Sequence, residues 1–304
     1  MFGRASFKEK DIPDLREKVV IVTGGNSGLG LETVRQLAKH NPAHVYLAAR
    51  SEERARAAIK ELHDTESGLA PIDFLELDLS SFDSIKAAVS EFKAKESRLD
   101  ILVNNAGIMM TAEGLTKEGY EIQFGTNVMG RALLIQLLLP VLQETHAVNP
   151  ETRVVNVSSA SEGLGPETYK FSELRSTMSE RHTTDRYCIS KLADVQYTVA
   201  LSRHIPNVKF IVIHPGMVRT NLLQYTTGFF LRLFIFVTAS ALAVPVQKGA
   251  LTQVWAAVSP DADNGGRYAP IGKDWTSSKA SQDHDTQEAL YKYIQDELET
   301  CLSK

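Results

Sequence analysis

The sequence predicts an α/β fold, a doubly wound parallel sheet with helices on both faces, built as a single domain. Three observations predict it. Short apolar runs alternate with helical patterns from the start of the chain. A glycine-rich turn separates the first apolar run from the first helix. No linker, repeat or low-complexity tract interrupts the 304 residues, and 43% of them are hydrophobic, enough for one large core. Strands that alternate with helices pair in parallel through right-handed crossovers, which lays helices on both sides of the sheet.

The elements follow in order. Lys18-Val-Val-Ile-Val-Thr23 reads as a buried strand, and the glycine turn leads from it to a helix over 29–39. Residues 44–49 make the second strand and 51–63 a helix of alternating charge. Residues 72–77 make the third strand, after which Ser81, a preferred N-cap residue type, opens a helix to 95. Residues 99–103 make the fourth strand, followed by a long helix over 120–145, bent at Pro140. The fifth strand is 153–157, the helix carrying Tyr187 runs to 204, and the sixth strand is 208–214. A helix over 247–258 leads to a last strand over 266–271, and a helix over 285–302 closes the chain.

Composition excludes several classes of function. A net charge of -4 with no long basic run argues against a nucleic-acid partner. The two cysteines, Cys188 and Cys301, lie too far apart for a disulfide framework or a metal spacing, so no metal is expected and a reducing, cytoplasmic compartment is. Cys188 reads as a small packing residue rather than a redox group. Residues 1–18 hold no apolar signal core, and the terminal Cys-Leu-Ser-Lys304 is neither a prenylation nor a peroxisomal signal. Residues 228–246 are nearly all apolar, broken only by Arg232, and approach spanning length.

The chemistry-bearing motifs begin at Thr23-Gly-Gly-Asn-Ser-Gly-Leu-Gly30. Gly24, Gly28 and Gly30 let the backbone turn tightly and approach a pyrophosphate, while Asn26, Ser27 and Leu29 complete the turn. The helix that follows offers free N–H groups and a positive dipole end. At the end of the second strand Ala49 is neutral and Arg50 can pair a 2′-phosphate, where an NAD enzyme usually carries an acid. This points to NADP(H) over NAD(H); the bland alternative for Arg50 is a solvated loop cation. Tyr187 and Lys191 stand four apart on one helix face. An ammonium beside a phenol lowers the tyrosine pKa from its free value of about 10.

Taken together, the order Thr-Gly-x-x-x-Gly-x-Gly (23–30), Asp78-Leu79, Asn104-Asn-Ala-Gly107, Asn127, Ser158-Ser159, Tyr187-x-x-x-Lys191 and His214-Pro-Gly216 with Thr220 resembles the short-chain dehydrogenase/reductase family, over residues 17–273. Val45-Tyr-Leu-Ala-Ala-Arg50, the long insert after Ser159, and Gly265-Gly-Arg-Tyr with Pro270-Ile-Gly-Lys273 are most similar to its retinol-dehydrogenase-like and protochlorophyllide-reductase-like branch. The resemblance implies a Rossmann fold and hydride transfer between nicotinamide and a carbonyl or alcohol. It implies that Asp78 bonds the adenine amine, that Leu79 lines the adenine pocket, and that Asn104, Ala106 and Gly107 flank the cofactor ribose. Asn127 would hold a water beside the lysine, and Pro215, Gly216, Val218 and Thr220 would cradle the nicotinamide. Of the serine pair, Ser159 is taken as the catalytic one and Ser158 as its strand-end neighbour. Tyr187 would donate the proton, and Lys191 would bind the ribose hydroxyls.

Some readings stay open at this stage. Asn104 and Asn105 also suit a strand-end turn, and Asn127 a polar helix bend. Ser159 and Tyr187 are 28 residues apart, and Tyr169, Phe171 and His182 in the insert read as loop packing or as a substrate wall. Residues 226–244 correspond to the family's substrate lid, which suggests a hydrophobic small-molecule substrate; a peripheral membrane contact through 228–246 is the rival. A homodimer through the two long helices after the fourth and fifth strands is a further implication. Carbonyl reduction leads, with carbon–carbon double-bond reduction and a non-catalytic NADP-binding regulator as alternatives.

Overall fold

The computed structural model describes residues 7–218 and 244–302. Among them eight strands form one sheet: β1 (Val19–Thr23), β2 (His44–Ala49), β3 (Ile72–Glu76), β4 (Ile101–Asn104), β5 (Arg153–Val157), β6 (Lys209–Ile213), β7 (Arg267–Ala269) and β8 (Lys273–Asp274). The helices are α1 (Gly28–Ala38), α2 (Glu52–Thr65), α3 (Phe82–Lys95), α4 (Ile122–Val148), α5 (Thr183–His204), α6 (Val246–Val258), the short α7 (Lys279–Gln282) and α8 (His284–Leu302). The strand order is β3-β2-β1-β4-β5-β6-β7-β8, and every pairing up to β7 is parallel. The order reverses at β1, where Val20 lies between Val45 and Ile101. Connections leave the two sides of β1 in opposite directions, so a crevice opens at the carboxyl ends of the strands.

Successive residues of a strand point to opposite faces. Ile21, Tyr46, Leu102 and Val154 therefore join one core with Phe92, Leu138, Ile189 and Leu290 from α3, α4, α5 and α8. Val20, Val22, Val45 and Val103 join the other core with Val34 of α1 and Val254 and Trp255 of α6. Both faces are covered, which is why the strands read as unbroken apolar runs.

Two expectations change. The long helix begins at Ile122 rather than 120, and its irregularity lies at Gly125–Met129, a π-helical stretch, while Pro140 sits inside the α-helical part. The wider turn contains Asn127, whose side-chain contacts are described below. The strand expected over 266–271 is shorter, and it is not the last. Ile271 (φ +54) and Gly272 (φ +69) reverse the chain into the antiparallel β8. A Cβ on Gly272 would stand 2.6 Å from the Trp255 indole, so glycine alone fits that turn. α4 is long and apolar enough to cross a bilayer, but it is mostly buried and forms part of the first core. Thr220 and residues 226–243 of the expected lid lie outside the described residues.

At the other end of the sheet one carboxylate ties the central strands. Asp100 is fully buried and accepts hydrogen bonds from Val19 N (2.9 Å), Arg98 Nε (2.7 Å) and Asn149 Nδ2 (2.7 Å). Asp100→Ala leaves the Val19 amide and the Asn149 side chain without that partner, at a cost of about 3 kcal/mol. Urea unfolding should show a lower midpoint with an unchanged m-value; an unchanged midpoint would refute this account of the strand ends.

Candidate active site

The turn after β1 is built for close approach. Gly24 (φ +66) and Gly28 (φ +54) lie in the left-handed region, and a Cβ on Gly30 would stand 2.2 Å from the Gly24 carbonyl oxygen. Ser27 is the N-cap of α1, yet its side chain makes no capping bond. The first N–H groups of α1 are thus free of a side-chain cap, an arrangement suited to an anion. The turn is anchored from β4: Asn105 Nδ2 donates to the Thr23 carbonyl (2.9 Å) and Ala106 N to Thr23 Oγ1 (3.0 Å). Asn26 and Leu29 are half-buried in the same turn.

Arg50 is exposed at the end of β2 and lines a cleft of about 360 Å³ with Glu76, Asp78, Ser84, Leu115 and Lys117. Lys117 comes from the loop after β4, and no local pattern marks it. Asp78 Oδ1 accepts from Ser80 N (2.9 Å) and Ser80 Oγ (2.7 Å). Leu79 is buried in the core, its carbonyl against Gly130, where a Cβ would come within 2.1 Å.

Asn104 is fully buried and donates through Nδ2 to Asn156 Oδ1 (2.8 Å) on the neighbouring strand, while its Oδ1 finds no partner among the described residues. Ala106 and Gly107 remain half-buried at the crevice. Asn127 lies in the π-helical stretch, where its Oδ1 accepts from Ile108 N (2.9 Å) and its Nδ2 donates to the Ile108 carbonyl (2.9 Å) and Ser190 Oγ (3.0 Å). The side chain thus pins the loop after Gly107 to α4 and α5.

The serine pair divides cleanly. Ser158 is buried and donates to the Lys191 carbonyl (3.1 Å). Ser159 is half-buried; its Oγ accepts from Ser161 N (3.2 Å) and donates to Ser161 Oγ (3.1 Å), and it neighbours the Tyr187 phenol, whose phenolate form it favours. The insert follows: Tyr169 donates to Gln196 (3.0 Å), Phe171 stacks on Tyr293 at 5.0 Å, and His182 N-caps α5. Tyr169 and Phe171 thus pack within the fold, while the exposed His182 caps a helix.

Tyr187 and Lys191 meet on α5, with Lys191 Nζ 5.9 Å from the phenol ring centroid and donating to the Val157 carbonyl (2.9 Å). The expected lowering of the tyrosine pKa is overturned. Both groups are buried, and burial disfavours the charged form of each. Tyr187 is pushed up to about 12 by burial, against the Ser159 hydrogen bond that favours phenolate. Lys191 is pushed down to about 7 by burial, then by the nearby Arg131 charge, with Asp194 opposing. Desolvation outweighs the pairing that spacing alone suggested. Neither Arg131 nor Asp194 stood out in the sequence, because nothing local marks a buried ion pair made between two helices.

Beyond β6, Gly216 (φ +83) turns under Pro270, and Val218 bridges to Val244 and packs on Gly249 of α6. His214 and Pro215 are half-buried there. The turn, the serine, the phenol and the lysine all sit at the carboxyl ends of β1, β4, β5 and β6.

Comparison with known proteins agrees with this arrangement. The family model for short chain dehydrogenase matches residues 18–170. A short-chain dehydrogenase/reductase of Armillaria gallica is 39% identical over 293 residues, covering 94% of this chain and 91% of the relative. Human retinol dehydrogenase 11 is 34% identical over 267 residues, covering 86% and 80%. Among solved structures, a protein from Mycobacterium paratuberculosis superposes with a TM-score of 0.71 at 26% identity, covering 95% and 97%. The glycine turn, the serine–tyrosine–lysine cluster and these relatives together make the chain a member of the short-chain dehydrogenase/reductase family of oxidoreductases, in its retinol-dehydrogenase-like branch.

Proposed function

We propose that this chain is an NADP(H)-dependent reductase that interconverts a carbonyl and an alcohol on a hydrophobic small molecule. The observation that carries the proposal is the convergence of Ser159, Tyr187 and Lys191: the serine hydroxyl neighbours the phenol and the ammonium lies 5.9 Å from the ring. The glycine turn and the uncapped start of α1 fit a pyrophosphate, and Arg50 with Lys117 would meet a 2′-phosphate. When bound, the nicotinamide supplies the hydride.

The chain's own groups handle the oxygen. Tyr187 gives its proton to the oxygen that becomes an alcohol, and Ser159 donates a hydrogen bond to the same atom. Lys191 holds the ribose side of the site and sets the charge around the phenol. Asn127 braces the loop after Gly107; a relay through it would use its main chain, since its side chain is engaged. A phenol raised to about 12 is protonated at neutral pH, which suits the donor's role in reduction. The name of retinol dehydrogenase 11 says that this relative acts on retinol, and the apolar composition of residues 226–244 suits a hydrophobic substrate.

Three outcomes test this reading. Tyr187→Phe should lower kcat at least a hundredfold, the usual scale of general acid catalysis, with NADPH affinity nearly intact; normal turnover would exclude the mechanism. Arg50→Ala should weaken NADPH binding by roughly tenfold to a hundredfold and leave NADH unchanged, as read by nucleotide fluorescence titration. Equal losses for both nucleotides would reject the 2′-phosphate assignment. In the oxidative direction Tyr187 must be deprotonated, so the alcohol oxidation rate should climb from pH 7 to 10, below the value of about 12, while carbonyl reduction does not climb. Parallel profiles in the two directions would contradict a phenol that acts as donor and base.

A further inference from the structure

Arg131 lies on α4 one turn beyond Asn127, and its side chain is only 2% exposed. Its guanidinium donates to three acceptors from three parts of the crevice. They are the Ala106 carbonyl after β4 (Nε, 3.2 Å), the Val157 carbonyl at the end of β5 (Nη1, 3.2 Å) and Asp194 Oδ2 on α5 (Nη1, 3.0 Å). The Val157 carbonyl is the same oxygen that Lys191 Nζ reaches at 2.9 Å. Two buried cations thus share one acceptor. Asp194, 4% exposed and three residues beyond Lys191 on the same helix, is the carboxylate that accompanies them. Its carbonyl accepts from Thr198 Oγ1 (2.6 Å), which in turn accepts from Asn156 Nδ2 (2.8 Å).

We infer that Arg131 and Asp194 are positioning residues that set the protonation of the Tyr187–Lys191 pair, Arg131 by opposing the lysine charge across the shared Val157 carbonyl and Asp194 by offsetting it. The inference rests on the reading of Tyr187 and Lys191 given above and adds a control to it. The charged groups that act on Lys191 are Arg131 from α4 and Asp194 from α5, while β5 presents an uncharged carbonyl and Tyr187 is the phenol neighbour. The same two residues act on Tyr187, together with Cys188 and the Ser159 hydroxyl. Glu162, the buried carboxylate in the turn after Ser159, is engaged with Ser278 instead. A like charge favours the neutral lysine and an opposite charge the protonated one, so the two residues act with opposite sign.

Opposite sign separates this role from a structural clasp. The full-length protein is labelled with 13C at lysine Cε and titrated by NMR, with the Lys191 signal identified by its loss in Lys191→Met. Asp194→Asn should move the Lys191 midpoint down by about one pH unit, and Arg131→Gln should move it up by about as much. The pH profile of kcat/KM should move in the same sense. Removing one member of a buried pair can prevent folding, so the double variant Arg131→Gln/Asp194→Asn, which leaves no lone charge, is measured as well. Its midpoint should lie between those of the two single variants, because the two removals act with opposite sign. Midpoints that stay fixed, or single variants that shift in the same direction, would overturn the inference. The NMR titration reads Lys191 without turnover, so a wild-type protein inactive on carbonyl substrates would refute the proposed function while leaving this result to stand on its own.

Discussion

The site depends on one constraint, the reversal of a parallel sheet at β1. With β2 on one side and β4 on the other, the connections after β1 and β4 must part, and nothing but loops can occupy the space between them. The glycine turn, the Asn105–Ala106 anchor and the start of α4 fill its walls. Gly30 and Gly130 keep those walls close, since a Cβ at either would collide with a main-chain carbonyl. The π-helical stretch at Gly125–Met129 then delivers Asn127 to Ile108, joining the loop after β4 to α5 through Ser190.

Burial, more than charge pairing, governs the chemistry of this crevice. A phenol and an ammionium-bearing side chain on one helix face would attract in water. Inside the protein each is stripped of solvent, and each is pushed toward its neutral form. Hydrogen bonds and fixed charges act beside burial: the Ser159 hydroxyl favours the phenolate, the Val157 carbonyl accepts from the lysine, and Arg131 and Asp194 act on both groups with opposite sign. Such a pair is expensive to bury, and it is held by carbonyls from two strand ends as well as by its own attraction.

Much of the fold was legible in sequence. The β2 and β5 boundaries and the alternation of elements follow from apolar runs whose length and position are local properties. The antiparallel β8 was not legible, because it depends on Gly272 lying under Trp255, a contact between distant residues. The split between Ser158 and Ser159 was stated from resemblance; the structure supplies the geometry, one hydroxyl turned into α5 and the other toward Tyr187. Tyr169, Phe171 and His182 could be sorted only once α8 and the start of α5 were in place around them.

By itself the sequence determined the succession of strands and helices, the glycine turn, and which residue types stand at the ends of β1, β2, β5 and β6. Those are consequences of local pattern, where hydrophobic period, glycine freedom and helical spacing act within a few residues. Tertiary structure alone decided the electrostatics: the direction in which Tyr187 and Lys191 shift, the bond between Asn104 and Asn156, and the meeting of Arg131 with Asp194. The reason is physical. Desolvation and buried charge depend on what surrounds a group in space, and here the surroundings come from α4, α5 and two strand ends that lie far apart along the chain.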